Sequence, residues 1–192
     1  DSEGIRGGRQ NGANAIAENL GVTGKLEYTG FTGSTIGASF YAGNSGQGKT
    51  DTSVATTLFS VHGDLNWMNV EMRALFAQVD IGEAAKASVL SGKTIGSSTK
   101  GWYVVAGYDV MPLILPGSQH YIAPFVQYER FNTHEAVPAG YTANKAYDRT
   151  ILTIGLTYKP HPHVAFKVDY RDNGNSATTG VNQWNAAVNY LF

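Results

Sequence analysis

The stretch Val181–Phe192 reads VNQWNAAVNYLF. Trp184, Ala186, Val188, Tyr190 and Phe192 fall on one face at period two, with Asn182 in the same set nearer its start. Gln183, Asn185, Ala187, Asn189 and Leu191 make the other, mostly polar face. Successive strand side chains point to opposite sides, so the stretch predicts a strand with one apolar and one wet face. A tilted strand crosses a bilayer in roughly 9–11 residues, and this one is long enough. The last strand of a soluble sheet would carry the same period, so the decision rests on the rest of the chain.

The alternation recurs upstream, over Leu20–Thr29, Thr35–Ala42, Ala55–Leu65, Val70–Ala77, Trp102–Val110, Tyr121–Arg130, Leu152–Tyr158 and Val164–Arg171. In Tyr121–Arg130 the Pro at 124 lacks the ladder donor. Charge placement there favours Ile122, Pro124, Val126 and Tyr128 on the apolar face, with Gln127 and Glu129 opposite. Nine strands are predicted. Their connections alternate, short near residues 31, 67, 114 and 161 and long near 47, 90, 140 and 176. Membrane β-barrels have short periplasmic turns and longer extracellular loops. Tyr28, Phe31, Trp67, Tyr108, Tyr121, Tyr158, Tyr190 and Phe192 gather toward the short turns. Phe40, Trp102, Tyr128, Tyr170 and Trp184 gather toward the long loops, as two aromatic girdles would. A soluble barrel with its apolar faces turned inward around a ligand is the competing arrangement. Residues 1–19 carry no period-two signal and read as an extracellular loop segment, with ANAIAEN able to form a helical turn. Residues 20–192 carry the barrel strands and loops, and GEAAKASVL, within the loop near residue 90, could form a short helix.

Composition agrees. Charged residues make up 15% of the chain, against about 25% in soluble domains. Glycine contributes 23 residues and tyrosine 11, as in β-rich chains with tight turns. Cysteine is absent, which removes disulfides, thiolate metal sites and cysteine nucleophiles. A net charge of −1 gives no electrostatic case for nucleic acid. No window of 18 apolar residues marks a transmembrane helix, and DSEGIRGG has neither region of a signal peptide. The mean hydropathy of −0.20 suits a membrane barrel too, because lumen-facing polar residues offset the lipid-facing ones.

LTYKPHPHVAFKVDYR followed by the NYLF terminus resembles the last three strands of Gram-negative outer-membrane porins. IAPFVQYERF and IRGGRQNG…LGVTGKLEYTG…GNSGQG are similar to stretches of the same group. The resemblance covers most of the chain and implies an all-β, antiparallel up-and-down transmembrane β-barrel in the bacterial outer membrane. The implied function is a porin-type channel for passive diffusion of small hydrophilic solutes or ions, without catalysis or cofactor. In that family the closing strand ends on an aromatic, so Trp184, Val188, Tyr190 and Phe192 would form the signal read by the barrel assembly machinery. Outer-membrane lipid is the expected surroundings, and a homo-oligomer, a trimer, the expected assembly. A non-conducting barrel acting as scaffold or surface-binding protein is the alternative, with a barrel-embedded hydrolase behind it.

On the polar faces lie the pore-lining candidates Lys25, Glu27, Asp64, Glu71, Arg73, Asp109, Glu129, Lys167, Asp169 and Arg171, with Lys159. Their signs are mixed, and no row of Lys or Arg stands out as an anion ladder. Three other patterns compete. Gly43–Thr50, GNSGQGKT, matches the phosphate-binding loop G-x-x-x-x-G-K-[ST]. It follows an alternating strand rather than a buried apolar one, which leaves it as a surface loop. Ser60, His62 and Asp64 share one strand face, but they project in a row and do not converge as a triad. His161 and His163 flank Pro162 in a short turn, a poor arrangement for a metal site.

Single-chain bacterial barrels have even strand numbers. With Phe192 periplasmic, strand Leu20–Thr29 would run inward from outside. A complete barrel would then need an odd number of strands before Asp1, for a total of roughly 16–18. That predicts an unpaired edge at Leu20–Thr29. A small barrel of 8 or 10 strands would instead pair this edge with Val181–Phe192.

Overall fold

A computed structural model describes residues 2–5, 16–49 and 53–190. It is an all-β chain with a single antiparallel sheet of nine strands in sequence order. The strands are β1 (Gly21–Tyr28), β2 (Ser34–Asn44), β3 (Ala55–Trp67), β4 (Val70–Ile81), β5 (Ser98–Tyr108), β6 (Tyr121–Ala136), β7 (Asp148–His161), β8 (Val164–Asn175) and β9 (Gln183–Tyr190). Each strand pairs only with its sequence neighbours. β1 is not hydrogen-bonded to β9, so among the described residues the sheet is open at both edges. Leu191 and Phe192 lie outside the described residues.

Register follows the alternation. Tyr128 pairs with Val104 on one side and Leu152 on the other, which places Ile122, Pro124, Val126 and Tyr128 on the apolar face as their spacing requires. Pro124 is tolerated because the β5 ladder stops at the Gly107–Phe125 pair. Beyond it Asp109 takes over, its Oδ1 accepting from the backbone N–H of Ile122 (3.2 Å) and of Met111 (3.0 Å).

Several strands run further than their apolar period. β6 continues to Ala136 and β8 to Asn175, paired through polar residues. Connections at the two ends are less regular than predicted. The β3–β4 turn is Met68-Asn69, with Met68 at a left-handed φ of 47°. The β5–β6 connection holds a short helix, α2 (Met111–Ile114), and is longer than the β8–β9 connection at the opposite end. Strict short–long alternation therefore fails there. The β4–β5 connection folds a longer helix, α1 (Ala84–Ser91), closed by Gly92 at φ 66°, whose N–H reaches Val89 O. The helix buries Ala84 and Ser88, and the Tyr141 hydroxyl of the β6–β7 connection donates to its Ala85 carbonyl at 3.3 Å. No helix among the described residues is long and apolar enough to cross a membrane.

The two faces of the sheet are packed in the reverse of a water-soluble protein. Where the alternation runs, every buried strand residue lies on the polar face: Gly37, Thr56, Ser60, Val79, Ala123, Ile151, Thr153 and Asp169. Thr153 is 4% exposed and Ala123 2%. On the apolar face Val104 is 37% exposed, Leu26 79% and Trp184 75%. Side chains crowd on the inside of a curled sheet, so the sheet curls toward its polar side. Among the described residues no large side chain is fully buried, and the accessible surface is 12277 Å². An ordinary folded monomer of this mass would expose roughly 8,900 Å².

Candidate functional site

The apolar face is bounded on both sides. Toward the long connections, its first polar residue is Thr57 on β3, Gln78 on β4, Lys100 on β5, Arg130 on β6, Thr150 on β7 and Asp172 on β8. Gln78 pairs with Lys100, and Arg130 with Trp102 and Thr150. Asp172 pairs with Leu152. In register, the boundary therefore descends by about one residue per strand. With about 3.4 Å per residue and about 4.8 Å between strands, it is inclined some 35–40° to the perpendicular of the strands.

Aromatic residues line this boundary from within: Phe59, Phe76, Trp102, Tyr128, Tyr170 and Trp184. Trp102 lies 5.3 Å from Tyr128, and Tyr170 5.1 Å from Trp184, between ring centroids. A second line, Tyr28, Trp67, Tyr108, Tyr158 and Tyr190, closes the face at the other end and descends with the same slope. Trp102 to Tyr108 on β5 and Trp184 to Tyr190 on β9 are the same number of residues apart, about 20 Å along a strand. Tyr121 is a correction to the grouping by sequence position. It stands near the short connections but on the polar face, beneath Lys159 Nζ at 4.4 Å from its ring.

The polar face gathers most of the charged candidates. Lys25 pairs with Glu27 at 2.7 Å, and His62 Nε2 meets the same carboxylate at 3.0 Å. Arg73 binds Asp64 across the β3–β4 ladder, rather than its strand neighbour Glu71. Glu71 faces the Tyr121 hydroxyl. Glu129 accepts from Gln127 Nε2 at 2.9 Å and from Arg171 Nη2 at 3.4 Å. Asp169 is 8% exposed. It accepts from Asn185 Nδ2 at 2.8 Å and lies 3.9 Å from Lys167 Nζ. Asp109 sits apart from this face, in the β5–β6 connection, where it holds backbone. Trp184, Val188 and Tyr190 occupy the apolar face of β9.

Sequence patterning alone missed the aromatic floor of the polar face and one cation. Lys167 Nζ lies 4.4 Å from the Phe125 ring, and Arg149 Cζ lies 5.8 Å from Phe131 and 5.7 Å from Tyr147. The signal available was the odd-numbered series Tyr121, Phe125, Phe131 on β6. Hollows open on this face among the described residues. One, of about 290 Å³, is lined by Asp64, Glu71, Arg73, Phe125 and Lys167. Another, of about 600 Å³, is lined by Glu129, Phe131, Arg149 and Arg171.

The competing patterns have structural explanations. Residues 45–49 of the GNSGQGKT loop form a turn pinned by Gln47, which accepts from Glu18 N and donates to Asn19 O, both at 3.0 Å. Thr50 lies outside the described residues. Strand β3 follows where a phosphate-binding loop needs a helix. Ser60, His62 and Asp64 each bond to a different strand, Ser60 meeting Ser39 Oγ at 2.6 Å. Among the described residues no three acidic or histidine side chains are grouped to hold a metal.

No family model matches the chain. An uncharacterized protein of Aquifex aeolicus (strain VF5) is 30% identical over 195 residues, covering 96% of this chain and 44% of that protein. The chain thus spans less than half the length of the relative it matches.

Proposed function

We propose that the chain is part of a transmembrane β-barrel of the bacterial outer membrane and forms a porin-type channel for small hydrophilic solutes. The observation that carries this reading is the apolar face enclosed by two parallel aromatic lines inclined to the strands. Barrel strands in membranes tilt by about 35–45°, with an apolar outer band between aromatic girdles and a polar interior. A plane cutting such a barrel parallel to the membrane crosses successive strands at shifted levels, which is the slope both lines share. Lipid would cover the apolar face, whose exposure in water would be costly.

The open edges extend the reading. Among the described residues β1 and β9 are the two edges of the sheet and carry exposed apolar side chains, an arrangement that invites pairing and is not sustainable in hydrocarbon. Further strands of the same wall, to a total of roughly 16–18, would satisfy both edges, and the relative's greater length leaves room for them. The long-connection end would then face outward, where Gln78, Lys100, Arg130 and Asp172 continue the strands above the apolar band.

The test is planar-bilayer recording of the full-length protein refolded in detergent. Stepwise ohmic conductance is expected. A correctly folded barrel that inserts without conducting would overturn the channel and favour a scaffold.

A further inference from the structure

We infer that the polar face of β6–β8 is a track for small anions, inorganic or carboxylate, and that it biases the channel toward them; this deepens the channel reading and rests on it. Register aligns four cations that sequence order scatters. Lys159 pairs with Tyr121, Lys167 with Thr157, Arg171 with Thr153, and Arg149 with Phe131. Measured along the strands, these levels are about 7, 14 and 14 Å apart. The column runs the full height of the wall, from the short-connection end to the long.

Two carboxylates interrupt it. Asp169 is held by Lys167 and Asn185, and Glu129 by Arg171 and Gln127. Among the described residues Lys159 and Arg149, the cations at the two ends, have no carboxylate partner. Rings position those two instead, Lys159 by Tyr121 and Arg149 by Phe131 and Tyr147, and Lys167 lies over Phe125 as well as near Asp169. A carboxylate that holds a cation also cancels its field. An aromatic face holds it and leaves the full charge. The two hollows open beside the column, one at Lys167 and one at Arg149 and Arg171.

The other half of the same face is built differently. On β1–β4, Glu27, Asp64 and Glu71 outnumber Lys25 and Arg73, and both of those cations are in ion pairs. The β6–β8 wall therefore carries a net +2 and the β1–β4 wall a net −1. Rings and rows of charge set selectivity in pores.

The experiment is a reversal-potential measurement on the full-length protein in a planar bilayer, under a KCl gradient near ~0.1 M, where screening reaches only about 10 Å. The parent is compared with the Lys159→Gln/Arg149→Gln double variant. Lys86→Gln, at an exposed position of α1, makes a single charge change away from the wall. The double variant is expected to lower the chloride-to-potassium permeability ratio by about twofold or more, and Lys86→Gln to leave it unchanged. Conductance with an unaltered ratio in the double variant overturns the anion track and leaves the channel standing. An absence of conductance in the parent overturns both. If the double variant does not fold, Lys159→Gln alone is expected to shift the ratio in the same direction, and no shift overturns the track.

Discussion

Val104 and Val105 are neighbours on β5 with opposite surroundings. Val104 pairs with Ala74 and Tyr128 on the exposed apolar face, and Val105 with Arg73 and Gln127 on the crowded polar face. In a soluble sandwich the crowded face is the apolar one, because removing apolar area from water drives the packing. Here crowding falls on Thr56, Ser60, Thr153 and Asp169 as much as on Val79, Ala123 and Ile151. Hydrophobic collapse in water does not account for such a sheet. Its cohesion comes from the backbone ladders and from the hydrogen bonds and ion pairs of the polar face.

The sharpest way to break this comparison is to put the same charge on each valine. If the apolar face meets lipid as proposed, Val104→Arg is expected to destabilise the protein in lipid by about 2–4 kcal/mol, the range for a cation near the middle of a lipid-facing band. Val105→Arg is expected to cost less: it enters the polar face opposite Gln127, although Arg73 on its other side adds a like-charge penalty of about 0.2–1 kcal/mol. Urea titration of the refolded protein in vesicles measures both. Equal costs would remove the distinction between the faces. Next in size is the packing of the polar face. A Cβ on Gly155 would come within 2.5 Å of Phe125 Cζ and 2.6 Å of the Val168 carbonyl oxygen. Gly155→Val should therefore cost about 1–3 kcal/mol by overpacking in the same titration. Smaller still is the aromatic line. A double-mutant cycle on Tyr170 and Trp184, each replaced by Leu, should give a coupling of about 0.5–1.5 kcal/mol, and none if the rings meet only by chance.

The smallest expected effect is one of pH, at the long-connection end beyond the apolar band. His134 is 3% exposed, and its Nδ1 accepts from the Asn144 backbone N–H at 3.1 Å. Burial holds its imidazole below the ordinary value, and the Thr94 carbonyl offsets only part of this. The unfolded chain therefore takes up the proton first. The contribution to stability is complete above about pH 6.5 and is lost as pH falls from there toward the lower folded value. Amide exchange in residues 137–147, corrected for intrinsic rates, should quicken between pH ~7.5 and ~5. His134→Asn should abolish the difference.

Much of the sheet was legible because the apolar face writes itself into every second residue. Charge placement alone put Val126 and Tyr128 on the correct face despite Pro124. Strand ends were less legible. Beyond Tyr128 and Tyr170 the pairing continues through polar residues to Ala136 and Asn175, where no apolar period remains to mark it. The charged face was legible as a set but not as partners. Arg73 stands two residues from Glu71 in sequence and directly across from Asp64 in register. The cation column was invisible for the same reason, since Arg149 sits at the polar start of β7 and the other three are spread over β7 and β8. Asp109 fitted the alternation, yet its carboxylate is taken up by a turn that the sequence does not define.

The most direct measurement is a site-by-site accessibility scan of β5. Because the chain has no cysteine, single Cys substitutions from Trp102 to Tyr108 can be spin-labelled in the refolded protein in lipid vesicles. Collision with oxygen, which concentrates in hydrocarbon, is compared with collision with a water-soluble nickel chelate. The account predicts a period-two pattern, oxygen dominating at 102, 104, 106 and 108 and the chelate at 103, 105 and 107. Chelate access at every position, or the opposite phase, would contradict it.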